Sequence, residues 1–417
     1  MAEVLVIGAG MAGAVAALSA ARAGAKVVVV RRALGATALS SGAIDVAVDP
    51  HGREEISIEN AAKEIARTRS HHPYAILQQK LPRLMEALQF VASQLPELFR
   101  PPSESNLVLA TPLGTVKPTA MAQVSQAAGD LCSLPDEIAI VGFALDPAFD
   151  GRLVGAGIEA AAAQMSRRLR IQIIDSRWPN EVSMAFAKPA EFASALERPG
   201  ALEELATEIR SRLSPSVQLV LFPPVLGRKS CSACSKLSSL LNVTCAEALS
   251  GSFSVPGIRL QGGLDGALQR VGIELVEGEV KREGDGFAIA PDRSVRPDGV
   301  VLATGRFISG GIGDQGLLRE PIFGLPVHVG GELIDRRYLG DWLSGHFADE
   351  QRLFRAGLRI DADLRPLDSE GIPFDARLYA AGSVIGGYDP AVDKTGLGVA
   401  AFTGFLAGEA AANRASG

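Results

Sequence analysis

An apolar strand that opens directly onto a G-x-G-x-x-G turn narrows the choice of fold more than any other feature of this chain. The strand is Val4-Leu5-Val6-Ile7 and the turn is Gly8-Ala9-Gly10-Met11-Ala12-Gly13. Gly8 permits a tight exit from the strand. Gly10 lets backbone approach a pyrophosphate closely, and Gly13 lets the next helix lie against the strand. From Ala12 to Ala23 nearly every residue is small, which predicts a closely packed helix stopped by Gly24. Lys26 to Val30 reads as a second strand. The result is a βαβ unit whose helix N-terminus offers N–H groups and a positive dipole end to a phosphate.

One position departs from that fingerprint. An acid usually closes the second strand and bonds an adenosine ribose, whereas here the chain reads Val29-Val30-Arg31-Arg32. Three readings stay open: the arginines accept a 2′-phosphate, as NADP would require; the adenosine half is held differently, or is absent because the cofactor is FMN; or two solvated arginines end a strand. Arg32 is kept as a candidate cofactor contact.

A second glycine-rich segment lies near the other end, Leu378-Tyr379-Ala380-Ala381-Gly382-Ser383-Val384, followed by Gly396-Leu397-Gly398 and an alanine-rich stretch. A nicotinamide enzyme needs only the first segment. A flavoprotein on this fold needs both, because its extended cofactor is gripped at two places. The Asp298-to-Gly305 strand, ending Ala303-Thr304-Gly305, returns the chain to the same sheet. These signals predict an α/β, doubly wound, Rossmann-like domain that binds FAD or NAD(P) and is discontinuous, built from residues 1–48, 247–320 and 371–417. Residues 49–246 and 321–370 are predicted to form an inserted α/β cap, or substrate, domain. Helices are expected at Ile58–Thr68, Gln79–Leu98 and Gly263–Val271. A strand–helix–strand unit is expected over Ile138–Phe143, Leu153–Leu169 and Ile171–Asp175, with a further strand at Val217–Pro223.

Composition excludes several classes. The 417 residues carry a formal charge of −6 with no long basic run, which argues against nucleic acid as a partner. Met1-Ala2-Glu3 lacks a basic leader region, and no run reaches the ~20 apolar residues of a membrane span. The expected location is cytoplasmic, or peripheral on a membrane through partners. Cys132, Cys231, Cys234 and Cys245 are too few and scattered for a disulfide framework. The C-x-x-C at 231–234 lacks a fourth ligand at motif spacing, so ordinary thiols are expected and no metal site.

Taken in order, further blocks resemble one family. They are Ser40-Ser41-Gly42-x-x-Asp45, His72-Pro73-Tyr74, Thr111-Pro112-Leu113-Gly114-Thr115, and Gly257-Ile258-Arg259-Leu260-Gln261. Ala303-x-Gly305-x-Phe307-x-Ser309-Gly310-Gly311, Arg319-Glu320-Pro321-Ile322-x-Gly324-Leu325, and Gly382-Ser383-Val384-x-Gly386-Gly387-x-Asp389-Pro390 follow. Across nearly its whole length the chain resembles the B subunits of anaerobic glycerol-3-phosphate dehydrogenase. It departs from them at Cys231 and at Asp393-Lys394-Thr395-Gly396. The resemblance implies a flavin-bearing subunit using FMN, with FAD as the alternative. It also implies an FAD-containing A subunit and an iron–sulfur C subunit that anchors the complex to the inner membrane. The implied reaction oxidises sn-glycerol 3-phosphate to dihydroxyacetone phosphate and passes electrons toward menaquinone.

That chemistry needs a base for the hydroxyl proton and cations for the phosphate. The candidates are His72 as base and Arg259, Arg306 and Arg319 as cations, each of which is also readable as a structural residue. For the cofactor the candidates are Gly8, Gly10, Gly13, Arg32, Ser40, Ser41, Gly42, Gly305, Gly382 and Ser383. The N–H groups of the last helix, at Gly396, Gly398 and Val399, complete the set. Two rivals stand beside this reading: a non-catalytic or electron-relay partner subunit of the same complex, and an NADP-dependent flavin reductase using Arg31 and Arg32.

Overall fold

The computed structural model describes residues 3–48, 57–179, 188–251, 253–289, 293–314, 316–336, 338–346 and 348–414. The chain divides into two compact units: Met1–Ala36, Asp45–Gln94 and Leu264–Gly417 form the first, and Thr37–Ile44 and Leu95–Gly263 the second.

The first unit is built on a parallel sheet. In chain order its parts are β1 (Glu3–Ile7), α1 (Met11–Arg22), β2 (Lys26–Arg31), β3 (Glu274–Glu277), β4 (Gly299–Leu302), β5 (Leu378–Ala380) and α2 (Gly396–Arg414). Strand order is β5-β4-β1-β2-β3, all parallel, with Val6 of β1 opposite Val301 and Val29. Val4, Leu5, Val6 and Ile7 are all buried, so both faces of β1 are covered, which is why its sequence is a continuous apolar run. The helix predicted from the small residues is α1, and Gly24 follows its end with a positive φ of 89°.

Small residues also let α2 settle on α1. A Cβ added at Gly404 would stand 2.3 Å from the Ala12 carbonyl oxygen, and one at Gly408 would stand 2.1 Å from that of Ala16. Both pairs are four residues apart, one turn along each helix, so a groove on α2 receives a ridge on α1. The hydroxyl of Ser19 donates to the Phe405 carbonyl at 2.8 Å within this contact.

The second unit carries its own parallel sheet, in the order Arg170–Ser176, Glu137–Phe143, Leu219–Phe222, Thr244–Glu247. Ala139, Val141 and Phe143 enter one apolar cluster while Ile138 and Ile140 enter another, the two-residue alternation of a strand buried on both faces. The expected strand–helix–strand unit is present, its helix spanning Gly151–Gln164. The strand inside Val217–Pro223 is present as well.

The boundaries drawn from sequence differ from these units at four segments, and the first of them, 37–44, goes to the second unit. Of the segment drawn into the cap, residues 57–94 belong with the nucleotide-type sheet, because their aromatics and charges seat on α2. Phe90 meets Phe405 at 5.4 Å between ring centroids, Tyr74 meets Phe402 at 6.1 Å, and Arg83 pairs with Glu409 at 2.7 Å. Segment 321–370 joins the same unit, with Leu358 paired in parallel to Ile385. Residues 247–263 go to the second unit instead. The helix expected at 263–271 begins earlier and spans Val255–Arg270. Gly257 reads as a breaker but is required inside that helix: a Cβ there would stand 2.6 Å from the Ser40 carbonyl oxygen and 2.7 Å from that of Ala38. The helix expected at 79–98 is shorter, Leu84–Gln94, preceded by a 3-10 turn at Gln78–Arg83 that contains Pro82.

Candidate functional site

In a parallel sheet of this kind the carboxyl ends of the strands are where ligands bind, and the candidate cofactor residues of the first unit collect there. Hydrogen bonds step across that edge: Gly8 N–H to Val30 O, Ala303 N–H to Ile7 O, and Ala381 N–H to Leu302 O. The Gly8–Gly13 turn is folded tightly on itself and on β4. Gly8 has a φ of +112°, and a Cβ on Gly13 would sit 1.8 Å from the Gly8 oxygen. Gly382, just beyond β5, lies against the first turn of α1; a Cβ there would stand 2.6 Å from that of Ala12. Its N–H donates to the Thr403 hydroxyl of α2 at 2.8 Å. The two glycine-rich segments are thus brought together within one unit.

Gly305, Ser309 and Ser383 form a neighbouring group. A Cβ on Gly305 would stand 2.8 Å from the Ser309 hydroxyl and 3.8 Å from that of Ser383. Arg32 reaches the same segment, donating to the Ser309 carbonyl at 3.1 Å. Arg31 is differently employed, paired with Asp265 at 2.6 Å and Glu277 at 3.1 Å, which weakens the case for a 2′-phosphate there. The acid missing from the end of β2 stands at the end of β3, as Glu277.

Two observations test this edge for a phosphate-bearing cofactor. The first turn of α1 has neither a side-chain cap on Gly10 nor an acidic residue, so nothing in it repels an anion at the positive end of the helix. Nearby, the buried Thr304 hydroxyl has no hydrogen-bond partner among the described residues. Both features fit a cofactor with a phosphate group.

The last helix supplies less than its sequence suggested. The Gly398 N–H is taken by the Asp45 carbonyl at 2.9 Å, and the Val399 N–H by Thr395 O at 2.8 Å. These two leave the cofactor set for that reason. Gly398 is a packing glycine instead, its would-be Cβ 2.6 Å from the Val46 Cα. Gly396 keeps its place at the head of α2.

The catalytic candidates fare unevenly. His72 is buried and caps the short helix Pro73–Ile76, its Nδ1 accepting from the Tyr74 N–H at 3.1 Å. The proton therefore sits on Nε2, which lies 3.3 Å from the Thr395 hydroxyl. Burial, then Arg69 and Arg355, push its pKa down to about 3. A ring held neutral with its one lone pair engaged is no base, so His72 is corrected to a positioning residue for the head of α2.

Arg306 is buried and spends its donors on backbone carbonyls: Nε on Ser383 at 3.0 Å, Nη2 on Ile385 at 3.0 Å, and Nη1 on Tyr388 at 3.2 Å and on Phe354. Four of its five N–H donors are thus spent on backbone, which fixes the 383–388 loop. Arg259, in the second unit, is equally buried and pairs with Glu247 at 3.0 Å. Arg319 alone stays available: it is half-buried, only 3.5 Å from the Gly324 oxygen, and has no carboxylate partner among the described residues.

Sequence reasoning gave no role to Ser309, Glu247 or Asp393. Asp393 is buried between Arg355 at 3.1 Å and Arg69, and no local signal marks such long-range pairs. All four cysteines are free thiols, with burial pushing Cys234 up and Cys245 up to about 12. Among the described residues there is no metal-ligating group and no helix long and apolar enough to cross a membrane.

Acid sensitivity follows from His72. Its folded pKa of about 3 lies below the ordinary 6.5, so the unfolded chain binds the extra proton between those values. Stability from this group is complete above pH 6.5 and is lost as pH falls toward 3, at up to about 1.4 kcal/mol per pH unit. Urea midpoints at pH 7 and pH 5 should therefore fall further for the wild type than for His72→Gln. Equal losses would contradict the burial of a neutral ring.

Comparison with known proteins places these features. Residues 3–399 match the FAD binding domain family. The chain is 31% identical to the B subunit of the probable anaerobic glycerol-3-phosphate dehydrogenase of Halobacterium salinarum, over 98% of this chain and 97% of that one. It is 26% identical to the B subunit of the anaerobic glycerol-3-phosphate dehydrogenase of Aliivibrio fischeri, over 98% and 94%. Among solved structures it is similar to 3-ketosteroid delta1-dehydrogenase from Sterolibacterium denitrificans, at 14% identity and a TM-score of 0.41, covering 99% of this chain and all of that one.

Proposed function

Because this chain belongs to the FAD-binding domain family and is a homologue of anaerobic glycerol-3-phosphate dehydrogenase B subunits, we propose that it is the flavin-bearing B subunit of such a dehydrogenase. In that role it oxidises sn-glycerol 3-phosphate to dihydroxyacetone phosphate. The observation that carries the reading is the union of Gly8–Gly13 and Gly382–Ser383 at one edge of one sheet. The FMN implied by the family resemblance gives way to FAD, because the matched family is one of FAD binders. The uncapped α1 terminus would hold the pyrophosphate, and Gly10 would let it approach.

When bound, the flavin supplies two-electron oxidation of a secondary alcohol. The chain's own residues set the surroundings. The positive end of α2, from Gly396, favours negative charge on whatever lies before it. Thr395 fixes that end through His72. Arg306 holds the 383–388 backbone so that Ser383 keeps its place near Gly305. Arg319 is the remaining cation for the substrate phosphate, suited to it by a planar, bidentate guanidinium. An FAD-containing A subunit and an iron–sulfur C subunit are the proposed partners, with electrons passing to a quinone and the complex peripheral on the inner membrane. The word "subunit" in the relatives' names supports an assembly of this kind.

The assembled complex should show flavin bleaching when glycerol 3-phosphate is added without oxygen, and none with glycerol. Arg319→Gln should raise KM for glycerol 3-phosphate about tenfold or more, the loss of one charge-assisted phosphate contact, with a smaller change in kcat. An unchanged KM would remove Arg319 from the site; equal bleaching by glycerol would remove phosphate recognition altogether.

A further inference from the structure

The C-x-x-C pair, Cys231 and Cys234, lies wholly within the second unit. The strands Leu219–Phe222 and Thr244–Glu247 run parallel, and the helix Ser232–Leu241 joins them. The chain leaves the carboxyl end of the first strand, turns through 223–231 and enters that crossover helix. Cys231 is the residue at its N-cap and Cys234 stands in its first turn. A C-x-x-C opening the helix of a βαβ unit is the placement used for thiol–disulfide chemistry. The Cys234 N–H donates to the Cys231 carbonyl at 3.2 Å, so one turn carries both residues. Cβ atoms three residues apart on a helix are about 5–6 Å apart, and a disulfide needs about 3.5–4.5 Å. A slight tightening of the turn closes the difference.

The two sulfurs stand in unlike surroundings. Cys231 Sγ accepts from the Ser125 hydroxyl at 3.4 Å and from Arg259 Nη1 at 3.6 Å. Arg259 shares that nitrogen with Glu247 Oε2 at 3.0 Å, and its Nε and Nη2 donate to the Gly227 carbonyl at 2.9 and 2.6 Å. One buried guanidinium thus holds the loop that presents Cys231 and gives its sulfur a charge-assisted donor. The positive end of a ten-residue helix adds to it. Cys234 Sγ instead donates to the Cys245 carbonyl at 3.2 Å. Burial, then the charge of Glu247, pushes the Cys234 thiol well up, so it keeps its proton. At 5% and 4% exposure neither residue admits a bulky reagent. Exposed Lys229 and Ser232 flank Cys231, however, and hydrogen peroxide is little larger than water.

We propose that Cys231 and Cys234 are a peroxide-reactive thiol pair that closes to a disulfide, an activity separate from flavin binding. Cys231, as thiolate, attacks one oxygen of hydrogen peroxide. An S–O bond forms, the O–O bond breaks, and the departing hydroxide takes the proton shed by the thiol and leaves as water. The Cys234 sulfur then attacks that of Cys231. The S–S bond forms, the S–O bond breaks, and the second oxygen leaves as water with the Cys234 proton. Two thiols lose two electrons and one peroxide gains them.

The test treats the full-length protein with hydrogen peroxide at pH 7 and maps tryptic products by mass. Expected is a Ser230–Lys236 peptide lighter by two hydrogens. It should form at least about tenfold faster than the exposed Cys132, the internal reference, is oxidised. Cys234→Ser should stop at the sulfenic acid on Cys231, caught as a dimedone adduct. Cys245→Ser should react as the wild type does, and far-ultraviolet spectra check that each variant is folded. Oxidation of Cys231 no faster than Cys132, or a bridge between Cys234 and Cys245, would overturn the pair. So would a folded Cys234→Ser protein that yields no adduct at Cys231.

Discussion

Gly408→Val is expected to detach α2 from α1 and leave the protein unable to fold stably. Any side chain at 408 starts with a Cβ 2.1 Å from the Ala16 carbonyl oxygen, and Gly404 is held the same way against Ala12. Backbone, unlike a rotamer, has nowhere to move, so the helices must separate. Separation would expose Phe402 and Phe405, both fully buried, and break the Ser19 to Phe405 bond. The cost should be on the order of 4 kcal/mol or more, a range single substitutions reach only through a specific failure of packing or pairing. Gly262→Ala is the control. Gly262 lies within the helix Val255–Arg270, and a Cβ there meets nothing within 4 Å, so alanine should stabilise by roughly 0.5–1 kcal/mol. Denaturant melts of the two variants should move in opposite directions; a small loss in Gly408→Val would mean the helices do not meet as described.

Glu247→Ala should be nearly as damaging, for an electrostatic reason. Glu247 and Arg259 are both fully buried, and removing the carboxylate strands a guanidinium in the core. Breaking such a pair costs about 3–5 kcal/mol, whereas replacing both partners with apolar residues of similar volume is often neutral. Glu247→Leu combined with Arg259→Met should therefore recover most of the stability that either single change loses. Equal losses in single and double variants would show that the pair is not coupled.

How much of this was legible in the sequence depended on the range of the interaction. The β1–α1–β2 unit was readable because a turn, a helix and two strands are all specified between Glu3 and Arg31. The helix Ile58–Thr68 was readable to the residue, since Ser57 caps it through the Asn60 N–H and its apolar positions follow one face. The helix start at Val255 was hidden: the sequence reading began it at Gly263, and Gly257 and Gly262 lie in the turns it missed. Gly257 is there to admit the Ala38 and Ser40 carbonyls, a tertiary reason that no local pattern carries. Residues 57–94 were drawn into the cap because their affinity for α2 lies in Phe90, Tyr74 and Arg83, whose partners Phe405, Phe402 and Glu409 stand near the other end of the chain.

At the site the same distinction holds. Glycines at strand ends announced themselves through spacing. Arg259 and Arg306 looked like phosphate ligands because residue type was visible and the occupied donors were not. His72 looked like a base until its Nδ1 was seen to be taken. Arg319 survived because it has no carboxylate partner among the described residues and only the Gly324 carbonyl within reach.

Gly10 is the position at which flavin binding is tested most sharply. Its φ of −72° and ψ of −172° are open to any residue, so valine there strains no backbone; in the proposed site its glycine leaves room for a pyrophosphate. The measurement is flavin content of wild type and Gly10→Val, with released cofactor identified by mass. Expected are about one FAD per wild-type chain, from the two-point grip on an extended dinucleotide, and a variant that folds normally and retains none. Full flavin in folded Gly10→Val, or a wild type with no flavin, would contradict the shared cofactor edge of the two glycine-rich segments.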